Sequence, residues 1–190
     1  MKLTPEKQQL FDADCAIWDA WFAGDRSAPI KLMHQEPEYC FCNVVFRSLG
    51  DWLGWYWRNT MVAFAHYAIF SDWKIFFYRR AGIKIGKGVY IAPQVMIDPF
   101  MPGMIELEDD AFLGIGCHLL AHDYTSTFMR FARVTVRKGA VIGAFSTIRC
   151  GVVIGEKATV GAHSFVCKDV APGTTVGGVP AKELGKGDRV

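Results

Sequence analysis

The chain has 190 residues, of which 51% are hydrophobic and 21% are charged, and its formal net charge at pH 7 is +2. This composition excludes a disordered chain, and the length suits one domain or one domain with a helical appendage. The small net charge gives no reason to expect a nucleic-acid partner. Residues 1–9 lack the apolar core of a signal peptide, and the nearly uncharged stretch 59–71 is too short to span a bilayer, so we expect a cytoplasmic protein.

The six cysteines are spread along the chain without the spacing of a small disulfide-stapled domain. Cys40 and Cys42 lie near His34, which suggests a metal site, but no second Cys or His pair completes a set of ligands. We therefore predict reduced thiols and no bound metal.

The first predicted element is a helix that starts after Thr4, a residue suited to the N-cap, with Pro5 at its first position. Gly24 is expected to end this helix. Apolar residues recur at helical spacing between these limits, at Leu10, Ala13, Ile17 and Trp21. Residues 25–37 are predicted to form a loop.

A second helical stretch is predicted over residues 44–80, with breaks at Gly50, Gly54 and Ser71-Asp72, so that residues 1–80 form an N-terminal helical region. This stretch is rich in aromatic residues, namely Trp52, Trp55, Trp57, Phe64, Tyr67, Phe70, Trp73, Phe76 and Phe77. They either pack on a neighbouring subunit or on the end of the following domain, or form a membrane-surface contact or an acceptor-site wall. We favour packing, because apolar stripes at helical spacing are usually core.

From Gly82 onward the sequence repeats every six residues. Aliphatic residues hold one position of the repeat: Ile85, Ile91, Ile97, Leu107, Leu113, Leu119, Val136, Ile142, Ile148, Ile154, Val160 and Val166. A small or β-branched residue follows four positions later, at Val89, Val95, Ala111, Cys117, Ala140, Ser146, Val152, Ala158 and Ser164. A period of six fits neither a long helix nor a continuous strand, but it fits a short strand and a turn that repeat identically.

Three such units would close one coil of a triangular column, so residues 18 positions apart are predicted to stack. The predicted stacked pairs are Val136 with Ile154, Ile142 with Val160, and Ile148 with Val166. The aliphatic residues would fill the interior, and the glycine that often follows them, as at Gly143 and Gly155, permits an unusual turn backbone. The repeat therefore predicts a mainly β domain.

Two segments carry a family resemblance. Residues 141–155 read VIGAFSTIRCGVVIG, and residues 160–182 read VGAHSFVCKDVAPGTTVGGVPAK. Both resemble the last coils of hexapeptide-repeat acyltransferases, such as the maltose, galactoside, serine and polysaccharide O-acetyltransferases. The resemblance implies a left-handed parallel β-helix over residues 81–182, followed by a tail over 183–190. It also implies a homotrimer with active sites between neighbouring subunits, and acetyl-CoA or another acyl-CoA as co-substrate.

The repeat is interrupted between Ile97 and Leu107 and again between Leu119 and Val136. The second interruption is the longer, and loops that leave a rigid scaffold often carry function. The family has its catalytic histidine at this place, and the matching residue here is His122. A neutral imidazole titrates near neutral pH, so it can take the proton of an acceptor and return it to the leaving thiolate.

An orienting carboxylate is expected beside His122. Asp98, one coil earlier, is our first choice, and Glu106 and Asp123 remain alternatives. Asp98 could equally bind the acceptor or form a turn.

The resemblance also implies where the donor binds. The pantetheine arm is expected along backbone amides at the turns, and basic residues near the last coil are expected to meet the nucleotide phosphates. The predicted donor-site residues are Gly143, Ala144, Gly161, Ala162, Lys168 and Lys182. The acceptor stays open, because Val141 stands where many relatives have Trp, and Phe128, Met129 and Phe131 make the interruption unlike that of the sugar acetyltransferases.

Three functions compete. The favoured one is acyl transfer to a hydroxyl or amine. The acceptor could be a sugar or polysaccharide precursor, a glycolipid or other lipid-linked molecule at a membrane surface, a small metabolite or an antibiotic. The second is a metal-dependent hydrolyase that resembles gamma-class carbonic anhydrases; that family places two zinc-binding histidines five residues apart, whereas His118 and His122 are four apart. The third is a non-catalytic β-helix that serves as an interaction module.

Overall fold

A computed structural model describes residues 4–24, 29–32, 45–124 and 129–185. The predictions made for most of the 25–37 loop, for His34, Cys40, Cys42 and Phe128, and for residues 186–190 of the tail, lie outside the described residues. The helices are α1 (Pro5–Ala23), α2 (Leu49–Tyr67) and α3 (Ser71–Arg80). Strand β1 (Ile30–Leu32) lies between α1 and α2 in the sequence, and all other described strands follow α3.

The first helix begins and ends where the sequence predicts. The Thr4 hydroxyl accepts a hydrogen bond from the Lys7 amide at 3.4 Å, Pro5 holds the first helical position, and Gly24 is the C-cap. These contacts satisfy backbone groups that every helix end leaves without an intrahelical partner. The prediction for α1 is confirmed.

The prediction that Gly50 and Gly54 break the second helical stretch is wrong. Both lie inside α2, whose first turn is held by a capping box between Ser48 and Asp51. A glycine costs a helix only about 1 kcal/mol, which the capping box and the burial of the helix offset. The break comes at Ala68–Phe70, where the backbone of Ala68 and Phe70 is extended just before Ser71.

The strands that follow α3 are mostly two residues long. They are β2 (Lys84–Ile85), β3 (Tyr90–Ile91), β4 (Met96–Ile97), β5 (Ile105–Leu107), β6 (Phe112–Leu113), β7 (His118–Leu119), β8 (His122–Tyr124), β9 (Met129–Phe131), β10 (Val134–Val136), β11 (Val141–Ile142), β12 (Thr147–Ile148), β13 (Val153–Ile154), β14 (Thr159–Val160), β15 (Phe165–Val166), β16 (Thr175–Gly177) and β17 (Lys182–Glu183). A short 3₁₀ helix spans Pro102–Met104.

Three sheets form the sides of a column. Their strand orders are β13-β10-β5-β2, β17-β16-β14-β11-β6-β3 and β15-β12-β7-β4. Within each sheet, the parallel pairs join a strand of one coil to the equivalent strand of the next coil. The predicted stacking is confirmed: Val136 pairs with Ile154, Ile142 with Val160, and Ile148 with Val166, all in parallel register. Each coil therefore has three sides, and each side consists of one strand and one turn.

The interior of the column is aliphatic, as the repeat predicts. Every aliphatic repeat residue is buried except Ile85, which is partly buried at the first coil. All nine small or β-branched residues are also buried. The glycines at the turns are needed for close coil stacking: a Cβ built on Gly155 would lie 2.5 Å from the amide nitrogen of Pro172 and 2.7 Å from the carbonyl oxygen of Val170.

The third helix closes the open end of the column. The first coil has no preceding coil, so one row of its backbone groups needs other partners. Side chains of α3 supply them: the Ser71 hydroxyl accepts from the Ile91 amide at 3.0 Å, the Tyr78 hydroxyl donates to the Val95 carbonyl at 2.9 Å, and Arg79 donates to the carbonyls of Ile85 and Gly86 at 2.9 Å. At the opposite end, β17 pairs antiparallel with β16.

The aromatic helices both pack and remain exposed. Tyr78 of α3 and Met61, Val62 and Ala65 of α2 are buried, which fits the favoured interpretation of packing on the end of the β domain. The outer faces keep large apolar side chains at the surface of the chain, namely Leu53, Tyr56, Trp57, Phe64, Tyr67, Ile69, Phe70, Trp73 and Phe76. Among the helices described, none combines the length and apolar character that a membrane span requires.

The close stacking predicts opposite effects for two glycine substitutions. Gly155→Ala puts a methyl group against backbone atoms of the next coil, and we expect it to lower the stability by about 1–3 kcal/mol. Gly54→Ala lies in the interior of α2, where the new Cβ has ordinary contacts no closer than 3.6 Å, and we expect a gain of about 0.5–1 kcal/mol. Thermal denaturation of both variants measures these changes, and a Gly155→Ala protein as stable as the wild type would contradict the stacking.

Candidate active site

Both interruptions of the repeat leave the column at the same corner. Ile97 pairs with Leu119, 22 residues later, and Leu119 pairs with Ile148, 29 residues later, instead of the regular 18. The first interruption is a short bulge around the 3₁₀ helix. The second contains a hairpin, β8 with β9, and β1 adds a third antiparallel strand to it through pairs such as Ile30 with Phe131.

A single buried carboxylate holds both interruptions. Asp98 is fully buried directly after β4. Its Oδ1 accepts hydrogen bonds from the amides of Phe100 at 2.8 Å and Met101 at 3.2 Å, in the first interruption. Its Oδ2 accepts from the amides of Ala121 at 2.7 Å and His122 at 3.1 Å, in the second. These backbone donors compensate for the cost of burying a carboxylate.

The same carboxylate contacts the imidazole of His122, with 2.6 Å between Oδ2 of Asp98 and Nδ1 of His122. Because the carboxylate is an acceptor, Nδ1 carries the proton, and Nε2 of the neutral ring is left with its lone pair. The hydrogen bond to Asp98 raises the pKa of His122 above its ordinary value of 6.5, against an opposing effect of burial.

Aromatic rings on two sides set the position of the imidazole. The Phe100 ring centroid lies 5.6 Å from that of His122, and the Phe131 ring lies 6.2 Å away at an interplanar angle of 28°. The His122 side chain keeps 28% of its surface exposed, so it is open to a substrate. Phe131 is in turn packed against Trp18 and Trp21 of α1, at 5.4 and 6.3 Å between ring centroids.

The two alternative partners of His122 have contacts of their own. Glu106 lies 3.3 Å from the guanidinium of Arg133, and Asp123 lies 2.5 Å from that of Arg149. The structure therefore brings together His122 and Asp98, the partner first expected from the sequence, while the catalytic role of the pair stays a prediction.

The buried cysteines next to this corner do not have the character of nucleophiles. Burial raises the pKa of Cys117 to about 12 and the pKa of Cys150 to about 12. A nucleophilic cysteine needs a thiolate near neutral pH, which such pKa values exclude. Among the described residues no group of three His, Cys, Asp or Glu side chains is arranged to hold a metal ion.

The four predicted donor-site residues at the turns differ in whether their backbone amides already donate a hydrogen bond within the protein. The amides of Gly143 and Gly161 already donate to the carbonyls of Val160 and Val176 in the next coil, both at 2.8 Å, so they are not free for a ligand. Within the described part of the chain, the amides of Ala144 and Ala162 donate to no protein acceptor. These two alanines occupy stacked turns, and neither is buried.

The two lysines of the predicted donor site, and the histidines of the β-helix other than His122, lie at the surface or near it. Lys168 and Lys182 are exposed, and Lys182 begins β17. His163 is exposed and stacks on Phe145, with 5.1 Å between ring centroids. His118, partly buried, is on β7.

The sequence of the chain is similar to those of bacterial acetyltransferases. The family described as bacterial transferase hexapeptide (six repeats) matches residues 133–168. The Bacillus subtilis protein YvoF, assigned as an acetyltransferase, is 35% identical over 123 residues, which are 64% of this chain and 72% of YvoF. A serine acetyltransferase of Buchnera aphidicola is 34% identical over 117 residues, which are 62% of this chain but only 36% of that protein.

Solved structures share the architecture. A hexapeptide-repeat acetyltransferase from Vibrio cholerae superposes with a TM-score of 0.63 at 19% identity, over 73% of this chain and 93% of that chain. A galactoside acetyltransferase superposes with a TM-score of 0.60 at 16% identity, over 74% of this chain and 84% of that chain. At such identities the likeness establishes the fold, a left-handed parallel β-helix with an N-terminal helical region. This shared fold and the similarity to YvoF together show that the chain belongs to the hexapeptide-repeat acetyltransferase family.

Proposed function

We propose that this protein transfers an acetyl or similar short acyl group from coenzyme A to a hydroxyl or amine, with His122 as the general base. The observation that carries this proposal is the 2.6 Å contact between Nδ1 of His122 and the fully buried carboxylate of Asp98. Such a pair fixes the tautomer and orientation of the ring, and it leaves Nε2 as the base.

The chemistry then needs one proton acceptor. Nε2 of His122 takes the proton from the acceptor as its oxygen or nitrogen attacks the thioester carbonyl carbon. The carbon–sulfur bond breaks, the acyl group stays on the acceptor, and the imidazolium returns the proton to the sulfur to give the free thiol. Asp98 is the positioning residue, because its negative charge stabilises the imidazolium and its hydrogen bond holds the ring.

The donor has a matching surface along the column. The amides of Ala144 and Ala162 lie at stacked turns and donate to no acceptor in the described parts of the chain, so they suit the amide carbonyls of a pantetheine arm. Gly143 belongs to this surface because its lack of a side chain lets the turns stack closely: a Cβ there would lie 2.5 Å from the amide nitrogen of Ala162. Gly161 lies at the stacked turn of the next coil, where a Cβ would have ordinary contacts at 3.4 Å or more. Lys168 and Lys182 would meet the nucleotide phosphates, and a homotrimer would complete the site between subunits.

The proposal covers acceptors that carry either a hydroxyl or an amine. Relatives that share part of the chain include serine acetyltransferases and a dTDP-linked amino-sugar 3-N-acetyltransferase of Aneurinibacillus thermoaerophilus, which is 47% identical over 55 residues. Their names cover both hydroxyl and amine acceptors, so a sugar or glycan precursor is compatible with the proposal.

Replacing the base is the first test of the proposal. We expect His122→Ala to lower the rate of thiol release from acetyl-CoA in the presence of an acceptor by about 10²–10⁴-fold, because the acceptor loses its proton acceptor. His66→Ala, on α2 and outside the proposed machinery, serves as the matched control and keeps the wild-type rate. A His122→Ala protein with the wild-type rate would refute the assignment of the base.

The pH dependence is the second test. Only the neutral imidazole accepts a proton, so kcat/KM rises as the pH increases through the pKa of His122, which Asp98 holds above 6.5. In Asp98→Asn the hydrogen bond to a charge is lost, so the apparent pKa moves to lower pH, and kcat/KM falls by on the order of 10² as the ring loses its orientation.

Glu106→Gln is the control for this pH profile, because Glu106 pairs with Arg133 and not with His122. We expect its apparent pKa to equal that of the wild type. If the profile of Asp98→Asn coincides with the wild-type profile, Asp98 does not position the base.

A further inference from the structure

A cavity of about 290 Å³ lies between α1, α2 and the first interruption, separate from the donor surface. Aromatic rings form much of its wall, from Trp18 and Phe22 on α1, Trp55 on α2, and Phe46 and Phe100. Trp18 and Phe22 stack with 5.6 Å between ring centroids, and Phe46 contacts both Trp55 and Phe100 at 5.6 Å. This wall suits a flat or apolar group.

The cavity also contains an arginine that has no counter-ion among the described residues. Arg58 is partly buried, and burial lowers the pKa of its guanidinium although the charge of Asp51 opposes this effect. Over the described ranges, no carboxylate forms an ion pair with Arg58. The other charged groups of the wall are occupied, because Arg47 pairs with Asp19 and Asp51 caps α2. A desolvated cation without a partner costs free energy, which an anionic ligand would recover.

A second unused donor lies beside Arg58. The indole Nε1 of Trp55 is buried and has no hydrogen-bond partner in the structure as described. Buried polar groups in native proteins are nearly always satisfied, so an isolated one needs an explanation. Trp55 and Arg58 are both donors only, and both line the same cavity. The missing partner must therefore be an acceptor, and the charge of Arg58 favours an oxyanion.

The cavity shares its wall with the environment of His122. The Phe100 ring lines the cavity and lies 5.6 Å from the imidazole, while the Phe100 amide donates to Asp98. Trp18 also lines the cavity, and it packs edge-on against Phe131, the other ring beside His122. A ligand in this cavity is therefore separated from the base by the thickness of one aromatic side chain.

We infer that this cavity is the acceptor site, and that the acceptor carries a phosphate group joined to a flat or apolar body. The inference rests on the proposed acyl transfer. The phosphate binds Arg58 and the Trp55 Nε1–H, since its non-bridging oxygens can accept from both at once. The body packs on the aromatic wall, and the hydroxyl or amine to be acylated lies on the His122 side of Phe100.

Binding of two phosphate probes tests this inference. Uridine diphosphate and farnesyl phosphate carry the anion on a nucleoside and on an isoprenoid, and uridine is the neutral reference. Calorimetry on the full chain compares the wild type, Arg58→Met and the matched control Arg80→Met, since Arg80 is exposed on α3 and contacts Phe76 instead. We expect at least one phosphate probe to bind the wild type and Arg80→Met at least tenfold more tightly than Arg58→Met, and uridine to bind none of them.

Trp55→Phe tests the contribution of the indole N–H to binding separately from that of the aromatic ring. It keeps the aromatic wall and removes the Nε1 donor, so we expect about five- to tenfold weaker binding of the same probe. Which probe shows the Arg58 dependence tells whether the acceptor is a nucleotide conjugate or a lipid-linked phosphate, and either result supports the inference. If neither probe loses affinity in Arg58→Met, or if coenzyme A displaces the probe, the inference is wrong.

Failure of this inference and failure of the proposed function are distinguishable. If acetyl-CoA stabilises the wild type and Arg58→Met equally in thermal denaturation while no phosphate probe binds, only the acceptor site is wrong. If acetyl-CoA does not stabilise the wild type, the proposed transfer fails, and the acceptor role of the cavity fails with it.

Discussion

Parallel pairing between successive coils is the constraint on which the rest of the structure depends. Because each coil must present its backbone groups in register to the next one, a coil has room for neither an extra residue within a side nor a side chain at the closest turns. The Cβ that would lie 2.5 Å from backbone at Gly155 shows how tight this stacking is. Additional residues can only leave at a corner, which is where both interruptions are found.

Asp98 stabilises the corner at which the interruptions leave and positions the proposed base there. Its carboxylate is buried at the corner where both interruptions leave, and it accepts four backbone hydrogen bonds, two from each interruption. The fifth contact, to Nδ1 of His122, uses a charge that the backbone already stabilises. The ring is therefore positioned by the same interactions that fold the corner, so the geometry of the base does not depend on a flexible loop.

The helical region has two structural tasks that the column cannot perform alone. Ser71, Tyr78 and Arg79 of α3 satisfy the backbone of the first coil, as the end caps of repeat proteins do. Trp18 and Trp21 of α1 support Phe131, and β1 extends the hairpin that carries His122. The helices thus connect the end of the column, the hairpin and the aromatic cavity.

The fold was predictable from the sequence where a regular spacing determines the contacts. The period of six predicts the pairs of Val136 with Ile154 and its equivalents, and a separation of about one coil places Asp98 near His122. Features without periodicity were not predictable. The three residues of β1 carry no pattern, and Gly50 and Gly54 suggested breaks although the capping box of Ser48 and the burial of α2 keep the helix continuous. Gly143 and Gly161 were expected to offer amides to a ligand, but coil pairing already uses them. The cavity around Arg58 depends on tertiary packing between α1, α2 and Phe100, which spacing alone does not reveal.

The protonation of His122 is the most direct test of the account. Nitrogen-15 NMR of the imidazole, at a pH above its pKa, reports which ring nitrogen carries the proton. We expect a proton on Nδ1 in the wild type, held by Asp98, with Nε2 free, and a loss of this preference in Asp98→Asn. A wild-type ring that carries its proton on Nε2 would contradict the proposed base, because the nitrogen that must accept the proton would already hold one.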